Sequence, residues 1–271
     1  MSDFLAAMSD ASLLRARTAM KEADATSLDS RVASAPPPRA LKLAADGFDV
    51  IAEAKLASPV EGTLTDGGAD RVTQLASRYS AAGATAISVL TEESRFGGSL
   101  EHLELVSAQV EVPVMRKDFL VDPIQVQEAR AAGASGVLLI ARMVPGSLLE
   151  EMTDLTLRLG MFALVEIFDR SDLETAATVF DRDVLVGVNC RDLTTLEVDL
   201  RRFERLAPHL PDHLPAVAES GIETPSDVGV IADLGYRMAL VGSSLVAHED
   251  PAGPLAALIR AGRARLSGAE R

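Results

Sequence analysis

Five hydrophobic runs in this chain each end in a group that can move a proton or hold a polar ligand. They are Val50-Ile51-Ala52-Glu53-Ala54-Lys55, Val112-Pro113-Val114-Met115-Arg116-Lys117, Phe162-Ala163-Leu164-Val165-Glu166, Val186-Gly187-Val188-Asn189 and Ala216-Val217-Ala218-Glu219-Ser220-Gly221. Glu53 and Lys55 are two apart, so on a strand both point to one side. Such a pair does acid/base work or is a structural ion pair, and burying it is costly without a task or good partners. Lys117 follows an apolar run directly. Partial desolvation there is expected to lower its pKa, which suits a general acid; a solvated loop lysine is the plain alternative. Glu166 and Glu219 each serve as a base or orient a lysine, and spacing does not say which. Asn189 can hydrogen-bond a substrate group, or be a turn residue. Arg191 is a candidate fork for a carboxylate, or a solvated loop arginine.

Two further corners, Ser220-Gly221-Ile222 and Gly242-Ser243-Ser244, follow the last two apolar runs. Small residues let backbone N–H groups approach a ligand closely, and helix N-termini after the last two strands of a barrel commonly hold phosphate. The four histidines, His102, His209, His213 and His248, end no apolar run and show no metal-ligand spacing, so they read as surface residues and no metal is expected. Cys190 has no histidine in its pattern and reads as a packing residue.

These groups need a scaffold that brings strand ends to one place. Apolar runs at 48–54, 85–90, 112–116, 136–140, 162–166, 184–188, 215–218 and 238–241 read as strands. Helices are expected between them, over 69–81, 100–109, 123–132, 147–159, 170–179, 200–206, 224–234 and 251–265. Gly83, Gly133, Gly160 and Gly235 stand where helices should stop, and Pro123 and Pro225 where helices should start. Strands apolar throughout, alternating eight times with helices, predict an α/β fold: a closed (β/α)8 barrel with its reactive groups at one rim. No G-x-G-x-x-G follows the first strand, which disfavours a doubly wound sheet. Residues 1–47 differ: they are rich in Ala, Ser and Arg, with helical spacing at Leu13, Ala16 and Met20, and Pro36-Pro37-Pro38 forms a stiff connection. They are expected to form an N-terminal helical extension of a single domain spanning 1–271, either a lid over the barrel mouth or a packing appendage.

The chain has 271 residues and a net charge of -14. That charge argues against nonspecific nucleic-acid binding, and an anionic ligand must be drawn by a local positive site. No signal peptide and no membrane span are apparent. One cysteine excludes an internal disulfide and fits a reducing cytoplasm.

Taken together, the motifs resemble the indole-3-glycerol phosphate synthase family. The resemblance runs from about residue 35 to 260. It rests on Ile51-Ala52-Glu53-Ala54-Lys55…Ser58-Pro59, Ser88-Val89-Leu90-Thr91-Glu92, Phe96-Gly97-Gly98-Ser99, Arg116-Lys117-Asp118-Phe119, Gly187-Val188-Asn189-Cys190-Arg191-Asp192-Leu193 and Ala218-Glu219-Ser220-Gly221-Ile222. It implies ring closure, decarboxylation and dehydration of 1-(2-carboxyphenylamino)-1-deoxyribulose 5-phosphate, with no metal or organic cofactor, by a cytoplasmic enzyme of tryptophan biosynthesis, a monomer or weak homo-oligomer. It implies Lys117 as general acid and Glu166 and Lys55 as the later acid/base groups. Glu53 and Glu219 would hold the lysines and a substrate hydroxyl, Asn189 and Arg191 the anthranilate part, Ser58, Ser220, Gly221, Gly242 and Ser243 the phosphate end, and Phe96 the ring. The first loop departs from the family's Lys-Arg-x-Ser-Pro-Ser-Lys-Gly: Leu56 replaces a common arginine and Glu61 a common lysine. If those side chains face the substrate, its capture or loop closure is weakened; if they face solvent, nothing follows. A paralogue acting on a ring-substituted substrate and a non-catalytic phosphate-binding barrel are the alternatives.

Overall fold

The computed structural model describes residues 3–22, 25–45, 47–58, 62–63 and 67–268. Eight strands form the barrel: Asp49–Ala54 (β1), Ala86–Leu90 (β2), Val114–Lys117 (β3), Gly136–Ile140 (β4), Phe162–Ile167 (β5), Leu185–Asn189 (β6), Ala216–Glu219 (β7) and Met238–Val241 (β8). Each pairs in parallel with its sequence neighbours, and β1 closes on β8 through Ile51 opposite Leu240. The strand interiors are buried throughout, as a sheet covered by helices requires. The expected (β/α)8 barrel is therefore the observed one.

Four strands, β3, β5, β6 and β7, run one residue further than the apolar pattern suggests. Lys117 pairs with Leu90, and Asn189 pairs with Glu219. These groups are thus held by the hydrogen-bonded ladder rather than by loops. The crossover helices are Gly68–Ala81 (α3), Glu93–Phe96 (α4), Leu100–Gln109 (α5), Pro123–Ala131 (α6), Gly146–Arg158 (α7), Arg170–Ala176 (α8), Arg201–Leu206 (α9), Pro225–Asp233 (α10), Ser243–Val246 (α11) and Ala252–Gly268 (α12). Helix α8 is shorter than its pattern, because Ala177–Val179 tightens into a 3₁₀ turn. The expected stop glycines all have positive φ. Pro123 and Pro225 open their helices, after an Asp122 cap and a Thr224–Asp227 capping box respectively.

The N-terminal extension is helical: Asp3–Glu22 (α1) and Ala25–Ser34 (α2) precede the proline segment. Its buried stripe matches the spacing at Ala16 and in part at Leu13, but not at Met20. Leu5, Met8, Ser12 and Ala16 are buried, whereas Met20 is 48% exposed. Helix α1 packs against α6 and the rim beside β3. The Phe4 ring meets Phe119 edge-on at 6.0 Å, and Gln125 Nε2 donates to Ser12 Oγ at 2.9 Å. Arg15 donates to Asp118 Oδ1 at 2.8 Å. Asp118 is buried and also accepts from Thr91 Oγ1 (2.7 Å), Arg116 (3.0 Å) and its neighbour's amide, Phe119 N (2.8 Å). Burial alone would lift Asp118, but Arg116 and Arg15 prevail and hold it below the usual carboxylate range.

Two outcomes follow for stability. Arg15→Met should lower the unfolding free energy by about 1 kcal/mol; an unchanged urea midpoint would show that Arg15 does not dock α1. A depressed folded pKa stabilises above the unfolded value, near ~4, and that contribution is lost as pH falls through the folded value. The stability gap between wild type and Asp118→Asn should therefore close on acidification below pH ~4, and a gap that persists there would contradict the assigned ionisation.

Candidate active site

A cavity of about 540 Å³ opens at the C-terminal rim of the barrel. Glu53, Lys55, Lys117, Glu166, Asn189, Arg191 and Glu219 all line it, as do Phe96, Ser220, Gly221, Gly242 and Ser243. The strand-end groups expected to act together thus do share one space. Ser58 is described only by its backbone, paired with Gly62 in a two-residue ribbon, and Glu61 lies outside the described residues. Leu56 is partly buried and packs on the core, so it does not simply face solvent.

Lys117 is the charged centre. Its Nζ lies 2.9 Å from Glu219 Oε2 and 3.3 Å from Glu166 Oε2. The expectation of a lowered lysine pKa is overturned. Burial does push Lys117 down, but Glu219, Glu166 and Glu53 together outweigh it and hold the ammonium well above its ordinary range. The same crowding acts on the acids. Two buried carboxylates share one ammonium, so the second is hard to ionise. Burial first, and Glu166 in addition, raise Glu219 above the usual carboxylate range, although Lys117 opposes them.

A second pair stands at β1. Lys55 Nζ lies 2.9 Å from Glu53 Oε1. Burial opposes ionisation of Glu53, but Lys55 and then Lys117 overcome it and lower its pKa. Glu53 is therefore a carboxylate that both lysines feel.

On β6, the Asn189 side-chain oxygen accepts from Arg191 N (2.9 Å) and from Ser220 Oγ (2.8 Å). With the oxygen so assigned, the amide N–H groups are what Asn189 can offer a ligand. Arg191 donates one guanidinium N–H to Leu196 O at 2.9 Å, tying down the loop it begins. Ser220 has φ 69° and Gly221 φ 74°. For serine this left-handed backbone costs roughly 1–2 kcal/mol, and such strain concentrates where a turn must aim its groups.

The apolar wall was largely missed in the sequence. Leu90, Phe119, Leu138, Ile140 and Leu240 line the cavity. Their strands are buried on both faces, so no alternation of polar and apolar residues marks which side looks inward. Phe119 alone carried a signal, standing two residues after Lys117; its ring packs on Phe96 at 6.2 Å between centroids. Among the described residues of the extension none lines the cavity, and its contacts at the rim run through Phe119 and Asp118. The Cys190 thiol is buried and pushed up to about 12 by that burial, which suits the packing role expected of it. Among the described residues no cluster of His, Cys, Asp and Glu could hold a metal.

A family model described as indole-3-glycerol phosphate synthase matches residues 9–258. The chain belongs to the indole-3-glycerol phosphate synthase family. It is 45% identical over 237 residues to the indole-3-glycerol phosphate synthase of Saccharopolyspora erythraea, covering 87% of each chain. It is 45% identical over 253 residues to the Mycobacterium leprae enzyme of that name, covering 92% of each. It is 44% identical to indole-3-glycerol phosphate synthase 1 of Streptomyces coelicolor, over 87% of each chain. Among solved structures it is similar to 3-hexulose-6-phosphate synthase from Salmonella typhimurium (TM-score 0.64, 12% identity, 80% of this chain and 100% of that one). It is also similar to thiamine phosphate pyrophosphorylase from Pyrococcus furiosus (TM-score 0.58, 15% identity, 80% and 96%). At those identities the two structures speak for the barrel alone. For this member of the family, removing the negative charge of Glu219 by Glu219→Gln should lower the Lys117 pKa, since less opposing charge then holds the ammonium. Lysine-selective NMR titration reads this directly; an unmoved Lys117 would mean the pair is not coupled.

Proposed function

We propose that this chain converts 1-(2-carboxyphenylamino)-1-deoxyribulose 5-phosphate to indole-3-glycerol phosphate, with loss of carbon dioxide and water. The observation that carries the reading is a charged lysine, Lys117, held by two carboxylates in a cavity that is also lined by apolar side chains. Ring closure requires the carboxylate-bearing ring carbon to attack the substrate's ketone. An ammonium near that carbonyl oxygen can donate the proton that the oxygen must take up as its double bond opens. Loss of carbon dioxide then restores the aromatic ring. The new hydroxyl must leave as water, and a proton must leave the adjacent carbon, which completes the indole double bond.

Glu166 and Lys55 are assigned these later transfers. Glu53 holds Lys55 in place through their 2.9 Å contact, and Glu219 and Glu166 together keep Lys117 charged. Asn189 and Arg191 orient the carboxyphenyl part, and Phe96 with Phe119 excludes water from the ring. Ser58, Ser220, Gly221, Gly242 and Ser243 hold the phosphate end, with backbone amides in the Ser220-Gly221 turn as the main donors. Holding both reacting carbons in one apolar space lowers the entropic part of the barrier. A cytoplasmic setting, with the chain as a monomer or weak homo-oligomer, goes with this reading. Among the described residues no helix is long and apolar enough to cross a membrane.

Purified protein should produce indole fluorescence from this substrate, and absence of product at saturating substrate would overturn the assignment. Lys117→Met should reduce kcat by roughly 10²–10⁴-fold, the span usual for a lost general acid, while the circular dichroism spectrum stays native. If Lys117→Met turns over normally, the proton comes from elsewhere. Glu61→Lys should lower KM by restoring a positive charge to the first loop; unaltered kinetics would show that this position does not meet the substrate.

A further inference from the structure

Glu166 and Glu219 reach one ammonium although they do not stand on adjacent strands. Glu166 is on β5 and Glu219 on β7, with β6 between them. Adjacent strands are about 4.8 Å apart, so the two backbones are separated by roughly twice that. The β6 residue in register beside Glu166 is Gly187. Parallel partners in register point to the same face, so a side chain at Gly187 would point into the barrel, between the two carboxylates.

That space is already taken. A Cβ built on Gly187 would collide with Oε1 of Glu219, and would sit 3.2 Å from its carboxyl carbon and 3.1 Å from Leu164 Cδ1. Glu219 Oε1 itself is buried and has no hydrogen-bond partner. The Glu219 carboxylate lies over β6 because its Oε2 is bonded to Lys117, because it meets the Glu166 carboxylate from β5, and because the volume above Gly187 is vacant. The φ of Gly187 is not positive, so the backbone does not require glycine at this position.

We propose that Gly187 is a positioning residue for the proton-donating centre: its missing side chain is the seat of the Glu219 carboxylate, and this lets Glu166 and Glu219 converge on Lys117. Its role rests on Lys117 being the proton donor of the reaction proposed above. Gly187→Ala forces the Glu219 carboxylate off β6 and breaks the 2.9 Å contact with Lys117. A shorter acid at 219 withdraws from that volume, so the two substitutions compensate each other.

The test is a set of variants assayed for indole formation beside wild type: Gly187→Ala, Glu219→Asp, their combination, and Gly187→Ala combined with Leu164→Val. Gly187→Ala is expected to lower kcat at least 30-fold with KM changed less than threefold. In the wild-type background Glu219→Asp lowers kcat, whereas in the Gly187→Ala background it raises kcat at least fivefold. Leu164→Val gives no such rescue. The proposal is overturned if Gly187→Ala leaves kcat intact, if the Gly187 and Glu219 effects simply multiply, or if Leu164→Val restores activity as well as Glu219→Asp does, since that would mean plain crowding of the core. If Gly187→Ala fails to fold, the Gly187→Ala/Glu219→Asp protein is expected to fold again, and its failure to do so also overturns the proposal. An inactive wild type would refute the assigned reaction instead, a result distinct from all of these.

Discussion

One buried ammonium sets the terms for the rest of the site. Lys117 can remain charged inside the barrel only because carboxylates surround it, and it in turn opposes the rise that burial and Glu166 impose on Glu219. The balance is uneven, with Glu166 and Glu219 both reaching the same nitrogen and Glu53 within its field. A barrel is suited to this because its parallel strands all deliver their C-terminal residues to one rim, each from a rigid ladder.

Rigidity at that rim has several sources. Arg116 and Asp118 flank Lys117 on β3 and bond to each other, to Thr91 on the neighbouring strand end and to Gln125 at the start of α6. Helix α1 adds Arg15 to the same carboxylate and Phe4 to the same aromatic stack. The extension thus acts on the cavity at one remove. Across the barrel, the Asn189–Ser220 bond joins β6 to the turn after β7, where a serine is kept in left-handed backbone.

Much of this was readable in the chain. Apolar runs separated by helical stretches gave the eight strands within a residue or two, because a sheet buried on both faces needs uninterrupted apolar side chains. Glu53, Lys55, Lys117, Glu166, Asn189 and Glu219 were legible because a polar group directly after such a run has nowhere to go but the rim. Other features were not legible. The stripe on α1 that includes Leu5 and Met8 was hidden, since Ala and Leu are spread around most of that helix and only the docking partner selects a face. The inward set of Leu90, Leu138, Ile140 and Leu240 was hidden by strands apolar on both sides. Lys117 was expected to lose its proton more readily on burial, and the opposite holds because its neighbours come from β1, β5 and β7, far away in the chain.

The sequence by itself determined the fold class, the family and the identity of the rim groups, since these follow from hydrophobic period, from motif and from order along the chain. Only the tertiary structure decided which groups meet. Closure of the sheet brings β1 to β8 and sets Glu166 and Glu219 on either side of a glycine on β6. The pairing of Lys117, and with it the sign of its pKa shift, depends on distances between residues 49 to 102 positions apart. Coulomb energy falls with distance in space, and spacing along a chain carries no measure of that distance until the barrel has closed.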